Sequence, residues 1–298
     1  MHTTNHEIVR AENFAPLPRQ AESATARSAF YTASFKPMKL ALYQLDAFTT
    51  RLFGGNPAAV VLLDRWLPDT TLGAIAAENN LAETAFVIPD AVNSRLRWFT
   101  PTVEVDLCGH ATLAAADVLF RYCFPTLDQV SFETRSGKLT VTRDGSLLKL
   151  DFPSRPARRI EVSDELVAAL GVRPREAYVA RDLLAIFDSE SQVRALQPDL
   201  ERTAALDAFA VIVSAPGETV DFVSRFFAPG AGIPEDPVTG SSHCTLTPYW
   251  AARLQKHRLS AKQLSARGGD LICELRGDRV VIAGNVVEYL RGEIEIDA

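Results

Sequence analysis

The chain is poor in cysteine. Its four, Cys108, Cys123, Cys244 and Cys273, are scattered and form no Cys-x-x-Cys pair. That excludes a disulfide framework and points to a reducing compartment. It also lacks an excess of positive charge: 37 acidic against 31 basic residues give a formal net charge of −6. A nucleic-acid binder wants a basic face, so nucleic acid is not the expected partner. No apolar run reaches the ~18 residues of a membrane span, and the first residues have no apolar core of a secretory signal. A cytoplasmic protein without a membrane partner is the expectation.

Cofactor motifs are missing too. No Gly-x-Gly-x-x-Gly follows a strand; Gly230-Ala231-Gly232 runs into Ile-Pro-Glu-Asp instead. Gly137-Lys138 lacks the phosphate-loop frame, and there is no His-Glu-x-x-His. A nucleotide or nicotinamide enzyme is therefore not expected, and no cofactor is.

What is present reads as a globular enzyme. At 298 residues, 47% hydrophobic, the chain can bury one large core or two ordinary ones. Residues 1–37 carry His, Asn, Ser and Thr with no lasting period, and are expected to be a disordered or loosely attached extension. After them come strands over 40–48 and 58–63, a helix over 67–80, and strands over 84–88 and 96–99. Three short strands follow at 130–134, 138–142 and 147–152, punctuated by Ser136-Gly137 and Asp144-Gly145. A helix capped by Ser163 runs to Leu170, and strands at 183–187, 209–214, 221–227, 263–266, 271–275, 279–283 and 286–296 complete the chain, with a short helix at 191–196. So many short strands and so few helices predict an α+β fold.

Two stretches stand out. Asp106-Leu107-Cys108-Gly109-His110-Ala111-Thr112 leads into a helical stripe of Ala111, Ala114, Ala115, Val118, Leu119 and Tyr122. Glu235-Asp236-Pro237-Val238-Thr239-Gly240-Ser241-Ser242-His243 leads into Leu246, Tyr249, Trp250 and Leu254. A glycine at a helix start leaves N–H groups and the positive dipole end open to an anion. Two such ends, one per half of a weak internal repeat, would grip a small carboxylate in a cleft.

The acid–base candidates cluster around these stretches. Glu83 stands at a helix-to-strand junction among apolar neighbours. It is either a surface residue or, if in the cleft, a shuttle whose pKa burial raises. His110 is either a packed residue or an imidazole kept neutral by the helix end. Asp236 precedes a proline and could be only a turn-former. Ser241 and Ser242 could be only N-caps. Cys108 is either a buried small hydrophobe or, beside a helix N-terminus, a thiolate base. His110, His243, Cys108 and Cys244 lack the spacing of a zinc set, so no metal is expected.

Five motifs occur together in order: Gly54-Gly55-Asn56-Pro57-Ala58, Asn80-Leu81-Ala82-Glu83-Thr84-Ala85-Phe86, Phe99-Thr100-Pro101, Leu107 to Thr112, and Asp236 to Ser241. Over about 260 residues the chain thereby resembles the PhzF family of phenazine-biosynthesis-like isomerases. The resemblance implies a diaminopimelate-epimerase-like fold: two similar domains, each a barrel-like curved sheet around a central helix, with the site between them. The division expected is 38–128, completed by the C-terminal strand 285–298, and 129–284. The resemblance further implies a homodimer and no cofactor. Glu83 matches the family's proton-shuttling glutamate, Gly109 and His110 its glycine–histidine pair, and Asp236 and Ser241 its substrate-holding residues. We expect Glu83, His110 and Asp236 to be catalytic, and Asn56, Gly109, Thr239, Gly240 and Ser241 to line the substrate. In the phenazine enzyme that substrate is a dihydro-hydroxyanthranilic acid. The related racemases use two cysteines, one before each helix glycine. Here Cys108 fills the first place and Thr239 the second. The expected activity is a proton-moving isomerase on a small carboxylate. The alternatives are a racemase or epimerase relying on Cys108, and a binding member of the family without activity.

Overall fold

The computed structural model describes residues 37–297. The expectation for the extension therefore lies outside the described residues, except that Pro37 opens the first strand. The first half runs β1 (Pro37–Ala47), β2 (Asn56–Leu62), α1 (Asp69–Asn79), β3 (Glu83–Ile88), β4 (Ser94–Phe99), β5 (Glu104–Val105), α2 (Gly109–Val118), β6 (Gln129–Thr134), β7 (Gly137–Asp144) and β8 (Leu147–Pro153). The second runs β9 (Arg158–Ile160), α3 (Asp164–Leu170), β10 (Glu176–Val179), β11 (Leu183–Ile186), α4 (Glu190–Ala195), α5 (Leu200–Ala204), β12 (Val211–Pro216), β13 (Phe222–Phe227), α6 (Gly240–Leu254), β14 (Arg258–Gln263), β15 (Gly269–Arg276) and β16 (Arg279–Gly284). The last strand, β17 (Val286–Asp297), returns to pair with β1.

The internal repeat is written in the pairings. In the first half β1 pairs antiparallel with β2, β2 parallel with β3, β3 antiparallel with β4, β4 parallel with β6, and β6–β7–β8 close as an antiparallel meander. The series from β10 through β11, β12, β13 and β14 to β15 and β16 repeats the same directions in the same order. Each parallel pair needs a crossover, and helices α1, α2, α4 with α5, and α6 supply them. Strands β8 and β16 pair antiparallel and join the halves into one continuous sheet.

Strand composition follows from this layering. Side chains alternate across a strand, and here both faces are covered. On β3, Ala85 and Val87 face the large central core, whereas Phe86 and Ile88 pack in the α1 layer. On β13, Phe222 and Phe226 face the central core and Val223 and Phe227 the outer layer of the second half. Such strands read as continuous apolar runs. Helix α2 is buried from His110 to Val118 on every side, as a central helix must be. It packs on β1, β2, β3, β7, β8 and β17, and α6 packs on β14, β15 and β16.

Several local expectations change. The stripe of α2 does not extend to Tyr122. Leu119–Cys123 is a π-helical turn, which rotates the following side chains, and Tyr122 emerges to hydrogen-bond Glu288 at 2.7 Å. Leu254 is likewise exposed at the end of α6. The strand placed at 263–266 instead ends at Gln263. Strands β5, β9 and β10 and helix α5, too short for a period to show, went unread. Among the described residues no helix is long and apolar enough to cross a membrane.

One glycine has no substitute. Gly55 sits at φ +62°, and a methyl there would lie 2.1 Å from the carbonyl oxygen of Ala47. Gly145 has a similar φ, +61°, but open space around it. Gly55→Ala is therefore expected to lower the unfolding free energy in urea by more than ~3 kcal/mol, and Gly145→Ala by only ~1. Equal losses in the two variants would remove the close approach as the reason for glycine.

Candidate active site

The N-termini of α2 and α6 meet. A methyl added to Gly109 would lie 3.8 Å from the Cα of Gly240, and one added to Gly240 would lie 3.9 Å from the Cα of Gly109. Each glycine is the first helical residue, preceded by Cys108 and Thr239 in extended conformation. Neither N-cap side chain bonds its helix. The first N–H groups of both helices thus have no helical partner, and both dipoles point into one place.

Glu83 reaches this junction from the start of β3. Asn80 ends α1 in the left-handed conformation, φ 48°, which asparagine tolerates, and the chain turns directly into the strand. The Oε2 of Glu83 lies 3.0 Å from Nε2 of His110. The sulfur of Cys108 lies 3.5 Å from Nδ1 and 3.9 Å from Nε2 of the same ring.

Asn56 ties this group to the second half. Its Nδ2 donates to Asp236 Oδ1 at 2.8 Å and to the Val238 carbonyl at 2.9 Å, and it lies 3.2 Å from His110 Nδ1. The Thr239 hydroxyl donates to the other oxygen of Asp236. Thr239, expected to face substrate, thus has its hydroxyl engaged in holding Asp236. Gln263, fully buried, accepts from the Thr239 N–H at 2.9 Å and donates to the Asp236 carbonyl at 2.8 Å. Arg267 clamps the loop that carries Asn56, donating to the carbonyls of Gly54 and Gly55 and pairing with Asp46 at 2.6 Å.

Ser241 faces the rim, where Arg181 Nη2 donates to its hydroxyl at 3.5 Å. Arg181 lies over the ring of Phe209 and pairs with buried Asp182. Ser242 is an interior residue whose hydroxyl donates back to the Thr239 carbonyl. The structure therefore brings Asn56, Glu83, Cys108, Gly109, His110, Asp236, Thr239 and Gly240 together, with Ser241 at the edge. Sequence reading missed Gln263, Arg267 and Arg181. A glutamine at an inward position of an alternating strand was a signal for the first. The arginines, in unpatterned loops, offered none.

The family model described as phenazine biosynthesis-like protein, PhzC-PhzF, matches residues 45–292. The chain belongs to that family. An uncharacterized isomerase of Pseudomonas aeruginosa is 51% identical over 260 residues, covering 87% of this chain and 100% of that one. The crystal structure of a PhzF-family protein from Enterococcus faecalis superposes with TM-score 0.85 at 47% identity, covering 86% of this chain and 99% of the other. A hydroxyproline epimerase from Agrobacterium vitis shares the fold at TM-score 0.57 and 11% identity, over 87% of this chain and 93% of that one. The PhzF family is one of isomerases on an epimerase-like fold.

Protonation in this PhzF-family site departs from expectation at Glu83 and His110. Burial pushes the Glu83 carboxyl up, but the charge of His110, its short contact and the Cys108 thiol more than offset it, and the net direction is down, not up. Burial likewise pushes His110 down, but Cys108 and Glu83 together reverse that, leaving it well above its ordinary value rather than neutral. The pair is an ion pair. Cys108 is not a ready thiolate: burial, then the charge of Glu83, push it up to about 11. Asp236 is pushed up to about 6, chiefly by burial.

Asp236 thus binds its proton more tightly folded than unfolded. The wild type should lose stability as pH rises from 3.8, the ordinary carboxylate value, through about 6. Asp236→Asn lacks this loss. The difference in Tm between variant and wild type should therefore shift in the variant's favour across that window, and a difference constant with pH would show that Asp236 titrates normally.

Proposed function

We propose that this site moves a proton on a small carboxylated substrate without a cofactor, with Glu83 as base and then acid. The observation that carries the reading is the position of Glu83: its carboxylate pairs at 3.0 Å with the buried His110 ring, where the N-termini of the two central helices meet. Ionisable groups enclosed together in this way cluster at functional sites. The lowered pKa of Glu83 keeps it ionised and so able to accept a proton.

The substrate carboxylate rests on the N–H groups near Gly109–Ala111 and Gly240–Ser242, with the Ser241 hydroxyl at the edge. Glu83 removes a proton next to a carbonyl or unsaturated carbon. Negative charge then spreads towards the two positive helix ends, which are fixed in place before the reaction starts. His110 holds Glu83 in position and steadies its charge. Asp236, kept near neutral pKa and fixed by Asn56 and Thr239, holds a polar substituent of the substrate. Glu83 returns the proton at another carbon.

A racemase built on two thiols finds no support. Cys108 is held as a thiol by burial, and Thr239 stands in the counterpart place before α6. Glu83, Cys108 and His110 also offer ligand atoms within 4.8 Å of one another, the one set among the described residues that could hold a metal ion. A proton network uses the same atoms. The expected boundary at 128/129, dividing 38–128 with 285–298 from 129–284, would part β6 from its partner β4, so we propose instead 37–153 with 286–297, and 154–284. We also place the protein in the cytoplasm as a homodimer; the exposed, touching rings of Phe53 and Tyr289 offer an apolar surface for the contact.

Solvent deuterium entering a small carboxylate substrate is the direct readout. Glu83→Gln should slow exchange by ~100- to 10,000-fold, and Cys108→Ala should stay within about tenfold. A chelator should leave exchange unchanged. Retained exchange in Glu83→Gln would remove Glu83 from its role, and loss to the chelator would turn the three-residue set into a metal site. In sedimentation, Phe53→Asp should convert dimer to monomer; an unaltered mass would move the interface elsewhere.

A further inference from the structure

A cavity of about 230 Å³ opens beside the first turn of α6. Lys138, Arg155, Arg279, Asp151, Phe152 and Ser241 are among its walls. It adjoins the reaction site on two sides. Ser241 belongs to both, and the Phe152 ring lies 3.7 Å from where a methyl on Gly109 would sit.

The charge in this cavity is unbalanced. Asp151 is paired with Arg279 at 3.1 Å. Lys138 and Arg155 have no carboxylate partner among the described residues, and Nη1 of Arg155 is buried without any hydrogen-bond acceptor. Leaving a buried donor unsatisfied costs roughly 1–3 kcal/mol, more when it is charged. The field extends into the helix. Burial pushes Cys244 up to about 11, against the pull of Arg155, Arg181 and Arg279. The volume suits one charged group, and is below the ~300 Å³ at which whole-ligand pockets begin.

We propose that this cavity is an anion subsite continuous with the reaction site, and that the substrate carries a second anionic group, a carboxylate or a phosphate, which docks on Arg155, Lys138 and Arg279. This rests on the reading of Glu83 and the two glycine turns as the place of reaction. It narrows the substrate class to dianions: one anionic group at the helix ends, a second in the basic cavity. Arg155, half-buried with an open donor, supplies the hydrogen bonds, and Lys138 supplies charge at the mouth.

The test is calorimetric titration of the wild type with inorganic phosphate, malonate and acetate, at low and at physiological ionic strength. Phosphate or malonate should bind at least about tenfold tighter than acetate, more weakly as salt rises, and the tighter of the two identifies the group. Arg155→Gln should raise that Kd about tenfold and Lys138→Gln several-fold, while Arg155→Lys, which keeps the charge and serves if the glutamine variant fails to fold, should recover most of the affinity. Acetate binding as tightly as the dianions, or Arg155→Gln and Lys138→Gln binding like wild type, would overturn the subsite. The two readings fail separately. Arg155-dependent phosphate binding in Glu83→Gln keeps the subsite even if no acid shows deuterium exchange. Glu83-dependent exchange with Arg155-independent binding keeps the chemistry and removes the subsite.

Discussion

Two buried helices press like poles together. The positive ends of α2 and α6, each equivalent to about half an elementary charge, meet at Gly109 and Gly240 with van der Waals spacing between them. Left alone, that contact is repulsive. Nearby carboxylates of Glu83 and Asp236 answer it within the chain, and an anionic substrate would answer it from outside. The fold accepts the arrangement because each helix is held by its own wrapping of strands, so neither end can withdraw without opening a core. Reactive groups are then anchored around the contact by a network crossing from one half to the other.

Asn56 is the centre of that network. It is fully buried, donates to Asp236 and the Val238 carbonyl with one nitrogen, and lies beside His110. Gln263 fixes the turn from behind, and Arg267 fixes the loop that delivers Asn56. Geometry at Glu83 and at Asp236 is therefore not set separately in each half. A shift between halves is felt at both carboxyl groups together.

Much of this was legible in the sequence, for identifiable reasons. The glycine turns, the central helices and the α+β class follow from punctuation and period, and the strands from β-rich runs between turn residues. Glu83 was legible as a carboxylate with no polar company at a junction. The charges were not. Isolated reasoning gave Glu83 a raised pKa and His110 a lowered one, because each was considered with burial or a helix end but without the other. Cys108 and their 3.0 Å contact together reverse both directions. The π-turn after α2 was also hidden, since a one-residue offset leaves the apolar spacing intact while turning Tyr122 outward.

Strands β8 and β16 close their respective halves, and they lie against each other antiparallel, Leu150 opposite Ile282. That is how two identical units meet about a twofold axis. Either unit in isolation would present β8 or β16 as a bare edge, with the unpaired backbone groups that recruit another chain. The same unit would also surrender part of a core built from both. The molecule is thus two like halves joined through one sheet and one shared core.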